Sequence, residues 1–249
     1  MRDKQILQAG SYAKQALHVF YLSLESMKIS LPSESYSFVE SWLEFYAGWE
    51  GRRVAGFGDP RELAVKLLAD SFSIEYLSNV MSAENTVDLG SGNGWPGLAV
   101  RLLFEDAKVS LLDSRQGACE FMDGFIRSSG LSRVEVIQDR AEHAGHKREF
   151  REKYTLVSTR AMARPRIVLE LCSGFLAVGG KAVLWIGPGQ EIPKAGRGLE
   201  EIGLSFLEKH TYLLPEGMGT RILAVYSKET ALREEYPRRY NRISKKPLK

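Results

Sequence analysis

Only two cysteines, Cys119 and Cys172, occur in 249 residues. They stand far apart and form no Cys-x-x-Cys pair, so neither a disulfide framework nor a thiolate zinc site is expected, and a reducing cytoplasm is the expected location. No run of 18 apolar residues occurs, which excludes an ordinary membrane-spanning helix. The opening stretch MRDKQILQAGSYAKQ lacks the apolar core of a signal peptide. Histidines are few, and the one close pair, His143-x-x-His146, has no visible partner ligands, so no metal site is expected. The chain carries no internal repeat and no low-complexity linker. Charge of one sign is scarce overall, with a net value of +3, but it is unevenly placed. Residues 228–249 hold eight Lys or Arg against three Glu, with Tyr236 and Tyr240 among the cations. Such a segment suits phosphate contact and base stacking. It equally reads as a solvated end.

What is present is ordinary globular material, 44% hydrophobic and 26% charged. Residues 1–82 show no strand alternation. Phe38, Trp42, Phe45 and Tyr46 recur on one helical face, and Asp59-Pro60-Arg61-Glu62 opens a helix expected to run to about Leu77, with Asp59 as N-cap. This part is expected to be a small helical cap, with the aromatics as core. From Thr86 the rhythm changes. Short apolar runs at 86–89, 109–113, 134–137, 154–158 and 182–186 alternate with helical segments near 97–105, 115–129, 164–176 and 197–203. That alternation predicts a parallel sheet covered on both faces. The runs at 204–214 and 221–227 leave no room for a helix and predict an antiparallel hairpin at the sheet edge. The expected fold is α/β, a Rossmann-like sheet of the class I S-adenosylmethionine-dependent methyltransferase type. It would comprise a cap over 1–82, a cofactor-binding domain over 83–228 and a basic tail over 229–249.

The loop DLGSGNGWPG (88–97) lies between the first strand and a helix. Gly92-x-Gly94-x-x-Gly97 formally matches a dinucleotide fingerprint, but alone that match is weak. Two details favour another ligand. Asp88 precedes the loop, and an acid at a strand end suits an amino group. Pro96 removes an N–H that a pyrophosphate would use. S-adenosylmethionine has the amino group, a sulfonium and no phosphate. Asp113 ends the second strand about 20 residues beyond the loop, the spacing of a ribose-binding acid, and also reads as a cap for the next helix. The loop glycines Gly90, Gly92 and Gly94, together with Asp88 and Asp113, are therefore expected to hold the cofactor. The third strand leads into Asp139-Arg-Ala-Glu142, where Ala141 and Glu142 are expected near the adenine.

Several stretches together resemble the RsmG family of bacterial 16S ribosomal RNA guanine-N7 methyltransferases, formerly glucose-inhibited division protein B. They are VDLGSGNGWPGLAV, VSLLDSRQGACEFM, DRAEHAG, VSTRAMAR, GTRILAVYSK, YPRRYNRISKKPL and DPRELAVKLLADS, and the likeness spans roughly residues 35–248. The resemblance implies methylation on N7 of a guanine of 16S rRNA, within the 30S subunit. It maps Gly90, Trp95, Ala141, Glu142 and Arg160 onto cofactor and active-site positions, and sets Arg160 and Arg221 toward the RNA as candidate catalytic residues. The sequence departs from the family pattern at RRVAGFGDP, at Leu67 where His is usual, at Ile186 where Lys is usual, and at Trp95 where a smaller residue is usual.

Guanine N7 carries a lone pair and no proton, so its methylation needs no general base and can rest on positioning. The marks of other methyl transfers are missing. Ser158-Thr-Arg-Ala161 stands where amine methylases carry Asn/Asp-Pro-Pro-aromatic, and neither cysteine sits in a setting that suits a nucleophile. The Gly/Pro-rich stretch GPGQEIPKAGRG (187–198) follows the fifth strand, where a lid over the base or a plain loop would stand. Three rivals remain open at this stage: the same fold with another acceptor, a non-catalytic binder of cofactor or RNA, and a nicotinamide enzyme.

Overall fold

Alternation of inward side chains fixes the two faces of the central sheet. The structure, a computed structural model, describes residues 2–52, 54 and 56–248; Arg53 and Ala55, within the divergent RRVAGFGDP stretch, lie outside the described residues, as does Lys249. The strands are β1 (Asn85–Leu89), β2 (Lys108–Asp113), β3 (Val134–Gln138), β4 (Tyr154–Arg160), β5 (Leu176–Ile186), β6 (Leu204–Leu213) and β7 (Thr220–Lys228). They form one sheet in the order β3-β2-β1-β4-β5-β7-β6. β1 to β5 are mutually parallel, and β7 runs antiparallel between β5 and β6. The expected crossover strands and terminal hairpin are therefore both present. Leu111, Leu156, Val183 and Trp185 bury on one face, while Leu112, Val157, Leu184 and Ile186 bury on the other, as the period of two demands.

The first face is covered by α5 (Gly97–Leu103), α6 (Gln116–Ser129) and the N-terminal helices α1 (Arg2–Met27) and α2 (Ser33–Gly48). Trp42 of α2 is fully buried, with ring centroids 5.8 Å from Trp95 and 6.0 Å from Phe121. Phe45 lies 5.3 Å from Phe121, and Phe38 5.1 Å from Phe125. The aromatic stripe is thus a core shared between cap and sheet.

The helix expected from Asp59 starts as read. The Asp59 carboxylate accepts from the Arg61 N–H at 2.8 Å, with Pro60 in the first turn. It is not uniform, however. After α3 (Pro60–Glu62) it widens into a π-helix over Leu63–Ala69, returns to α4 (Asp70–Phe72) and ends as a 3-10 helix over Ser73–Val80. Nothing in the apolar pattern distinguished these windings. Such interruptions recur at functional sites because they rotate backbone groups out of the regular ladder.

The second face carries α7 (Ala141–Ala144), α8 (Pro165–Ser173), α9 (Arg197–Glu201) and α10 (Tyr240–Lys245). The basic C-terminal stretch is docked rather than loose. Leu232, Tyr236 and Ile243 bury in this core. The Arg151 guanidinium donates to the carbonyls of Tyr236, Leu232 and Arg233 at 2.7, 3.0 and 3.0 Å. Arg238 forks onto the fully buried Glu170 carboxylate at 2.9 and 2.6 Å. His146 bonds the Pro237 carbonyl at 2.7 Å, which gives the His-x-x-His motif a structural use.

Candidate active site

Open parallel sheets leave a crevice beyond the carboxyl ends of their strands. Here two adjoining cavities occupy it. The first, about 440 Å³, is lined by Gly90, Asp113, Ala141, Glu142, Met162 and Tyr240, among others. The second, about 490 Å³, lies between cap and sheet and is lined by Asp70, Trp95, Arg160, Trp185 and Arg221, among others. Gly90, Arg115 and Ala161 belong to both walls. Both volumes suit a small-molecule site.

The glycine loop is tied to β2 by the Gly90 and Ser91 N–H groups, which donate to the Leu112 carbonyl at 2.8 and 3.1 Å. Gly90 has φ +72°, and a Cβ there would sit 3.1 Å from Met162 Cγ, so the close turn and the open cavity floor both call for glycine. The Gly92 N–H donates to Asp113 Oδ2 at 2.9 Å. Gly94 lines neither cavity. A Cβ on it would meet Leu98, so its role is packing against α5.

Asp113 is buried but reaches the first cavity. Its Oδ1 accepts from the Arg115 N–H at 2.9 Å and from Arg115 Nε at 3.1 Å. Asp113 therefore fixes the turn before α6 without capping the helix, whose N-cap residue is Arg115. Ala141 and Glu142 open α7 on the wall of the same cavity, with the Glu142 carboxylate 3.9 Å from Arg140.

Asp88 lies near the end of β1, as expected, but is fully buried and lines neither cavity. Its Oδ1 accepts from Ser158 Oγ at 2.7 Å, across the β1–β4 pairing, and its Oδ2 has no partner. Burial pushes its carboxyl up to about 7, against the pull of the Ser158 hydroxyl. Asp88 joins strand to strand under the loop. The Trp95 ring is likewise buried, between Trp42 and Phe72 at 5.8 and 5.5 Å.

The second cavity holds a polar network that the sequence did not announce. Arg160, expected at the active site, donates from one terminal nitrogen to the Leu67 carbonyl at 2.9 Å and to Asp70 Oδ2 at 3.2 Å. Tyr212 donates to Asp70 Oδ1 at 2.6 Å, and Trp185 Nε1 to the Asp70 carbonyl at 2.8 Å. Burial pushes the Asp70 carboxyl up; the Arg160 cation, the Tyr212 hydroxyl and the Arg221 charge oppose this. Position 67 serves through its backbone carbonyl, so the departure to Leu there leaves this contact intact. Asp70, Tyr212 and Trp185 were missed as site residues. The available signal was an acid interrupting the apolar run LAVKLLADSF, since a buried carboxylate demands partners. Gly187, Pro188 and Gln190 line the same cavity, and Arg166 holds the following Glu191 at 2.6 Å. Ala161, in the shared wall, has φ +56°, an unusual backbone state for a residue with a Cβ.

A family model described as rRNA small subunit methyltransferase G matches residues 48–194, which take in the loop, Asp113 and Arg160. This chain belongs to that family. A ribosomal RNA small subunit methyltransferase G of Carboxydothermus hydrogenoformans is 33% identical over 231 residues, covering 92% of this chain and 95% of the relative. One from Thermotoga neapolitana is 37% identical over 164 residues, covering 65% and 70%. The likeness in fold extends to more remote structures. A candidate methyltransferase of Escherichia coli superposes with TM-score 0.51 at 13% identity, over 65% of this chain and 86% of that one. A candidate sarcosine dimethylglycine methyltransferase of Galdieria sulphuraria superposes with TM-score 0.51 at 13% identity, over 76% and 98%. The class I methyltransferase architecture expected from strand order is the architecture found.

Proposed function

We propose that this member of the rRNA small subunit methyltransferase G family methylates N7 of a guanine in 16S rRNA, presented by the 30S subunit, with S-adenosylmethionine as donor. The observation that carries this reading is the pair of cavities joined at Gly90 and Ala161, one walled by Asp113, Ala141 and Glu142, the other by Arg160, the rest of the glycine loop and the cap. The residues of the first cavity fit the cofactor. Left-handed Gly90 leaves the floor bare of a side chain, and the Asp113 carboxylate reaches the cavity, where a ribose diol would take the place of the exposed Arg115 guanidinium. When bound, S-adenosylmethionine supplies an electrophilic methyl group on sulfur.

The chain's own residues supply placement. Gly90 and Gly92 let the backbone approach the methionine end, Asp113 receives the sugar, and Ala141 and Glu142 border the base. Arg160 and Arg221 border the acceptor cavity, where an unstacked base would stand beside the shared wall. No residue need remove a proton, because N7 has none. The two thiols do not compete as nucleophiles, since burial pushes Cys119 up to about 11 and Cys172 higher still. Outside the cavities, the exposed Arg239, Arg242 and Lys245 on or beside α10 offer fixed cations to the RNA backbone. This reading locates the protein with ribosomes, in the cytoplasm. Among the described residues no helix is long and apolar enough to cross a membrane.

The test is tritiated methyl transfer from S-adenosylmethionine to purified 30S subunits lacking N7-methylguanine, with mapping of scission at the modified base. The reading expects label at one guanine, greater on subunits than on naked RNA. Cofactor binding with no label on RNA would overturn it and point to another acceptor.

A further inference from the structure

Transfer to N7 moves a unit of positive charge from the donor sulfur onto the guanine ring. The base is neutral before the step and cationic after it. A cation beside the base therefore opposes the transition state, and an anion there favours it. The acceptor cavity is lined by four cationic side chains, Lys66, Arg115, Arg160 and Arg221. Asp70 is the one carboxylate in that wall among the described residues.

Its setting is built. Asp70 is 2% exposed, and both its oxygens are engaged, by Tyr212 at 2.6 Å and by Arg160 at 3.2 Å. Its carbonyl accepts from Trp185 and lies 2.6 Å from Ser73 Oγ. Ser73 Oγ is also 2.8 Å from the Tyr212 hydroxyl. Residues from β4, β5 and β6 thus converge on the turn where the π-helix gives way to α4. The Arg160 side chain is 12% exposed, so the pair is little screened by water. Isolated, Arg160 would put an unscreened cation where charge must accumulate.

We propose that Asp70 is the counter-charge of the acceptor site, a positioning residue that holds the Arg160 guanidinium and cancels its field so that the methylated base can become cationic. The inference rests on the guanine-N7 reading above. It separates two jobs of Arg160. The guanidinium can still donate hydrogen bonds to the base or a phosphate, while its net charge is neutralised from behind.

The test compares wild type, Asp70→Asn, Arg160→Gln and the double variant in single-turnover methyl transfer to saturating 30S subunits, with cofactor binding as the check on folding. Asp70→Asn is expected to bind cofactor as wild type does, to hold RNA as well or better, and to transfer methyl at least about 10-fold more slowly. The double variant, with no net charge at the pair, is expected to be faster than Asp70→Asn. A purely structural role predicts the opposite order, so a double variant no faster than Asp70→Asn overturns the inference. So does an Asp70→Asn rate within about twofold of wild type. If Asp70→Asn fails to bind cofactor, the charge-retaining Asp70→Glu replaces it: a rate within about threefold of wild type is expected with cofactor bound, and a loss of about 10-fold or more overturns the inference. Wild type that leaves the subunit unlabelled would overturn the guanine-N7 reading itself, and this inference with it. Wild-type labelling with unchanged variants would overturn this inference alone.

Discussion

The Arg115 guanidinium grips the same carboxylate that ties the glycine loop to β2: Nε and a terminal nitrogen reach Asp113 Oδ1 and Oδ2, each at 3.1 Å, while the Gly92 N–H holds Oδ2. One buried acid therefore shapes the loop and borders the first cavity, the one proposed for the cofactor. Asp113→Ala should weaken S-adenosylmethionine binding by roughly 10- to 100-fold, the worth of hydrogen bonds to a charged group. Isothermal titration gives the value. Unchanged affinity would remove Asp113 from the cofactor site.

Asp88 sets a pH dependence of stability. Its folded carboxyl is raised to about 7 from the ordinary 3.8. Between those values the folded chain holds a proton that the unfolded chain has released. The contribution of this group is therefore greatest below about pH 4 and is lost as pH rises through 7. Asp88→Asn should remove that slope. Melting temperatures of both proteins across this range would show wild type losing ground to the variant as pH rises. A constant gap would contradict the buried, ionisable state assigned here.

The bridge from Arg238 to Glu170 anchors the C-terminal segment to α8, with Glu170 fully buried. Arg238→Ala would strand that carboxylate and should cost about 3 kcal/mol of unfolding free energy, as breaking a buried pair does. Urea denaturation measures it. A loss below about 0.5 kcal/mol would mean that the segment contributes little to the fold.

Arg239 and Arg242 line a basic surface pocket with His146 and Asn241, on the flank of α10 away from the cofactor cavity that Tyr240 borders. Replacing both by Ala should weaken binding to 30S subunits and reduce the salt slope by about 2, leaving cofactor affinity unchanged. A filter-binding series from low to high salt decides this. An unaltered slope would make these side chains a solvated face.

Much of the sheet was legible because parallel strands and crossover helices impose different periods on the same chain. The hairpin was legible because the gap between β6 and β7 has room for no more than the single 3-10 turn found there, Pro215–Gly217. The loop and Asp113 followed from their order along the chain. The burial of Asp88 was not legible, because the residue facing it, Ser158, lies on β4, 70 positions away. The Asp70–Tyr212 contact joins residues 142 positions apart, and no local pattern encodes such a pairing. The docking of the C-terminus hid behind its composition. Eight cations look solvated, yet Ile243, Tyr236 and the Arg238 fork hold the segment in place.

The interleaving of Trp42, Trp95 and Phe121 has a practical consequence for anyone wishing to redirect this scaffold to a new acceptor. The cap that borders the second cavity shares its core with the loop and α6, and on the proposed assignment these belong to the donor side. Grafting a foreign cap at a boundary near residue 82 would expose that core on both halves. A workable chimera has to exchange α6 and the loop carrying Trp95 along with the cap, so recognition of the acceptor is inherited as a block spanning the donor half rather than as a detachable module.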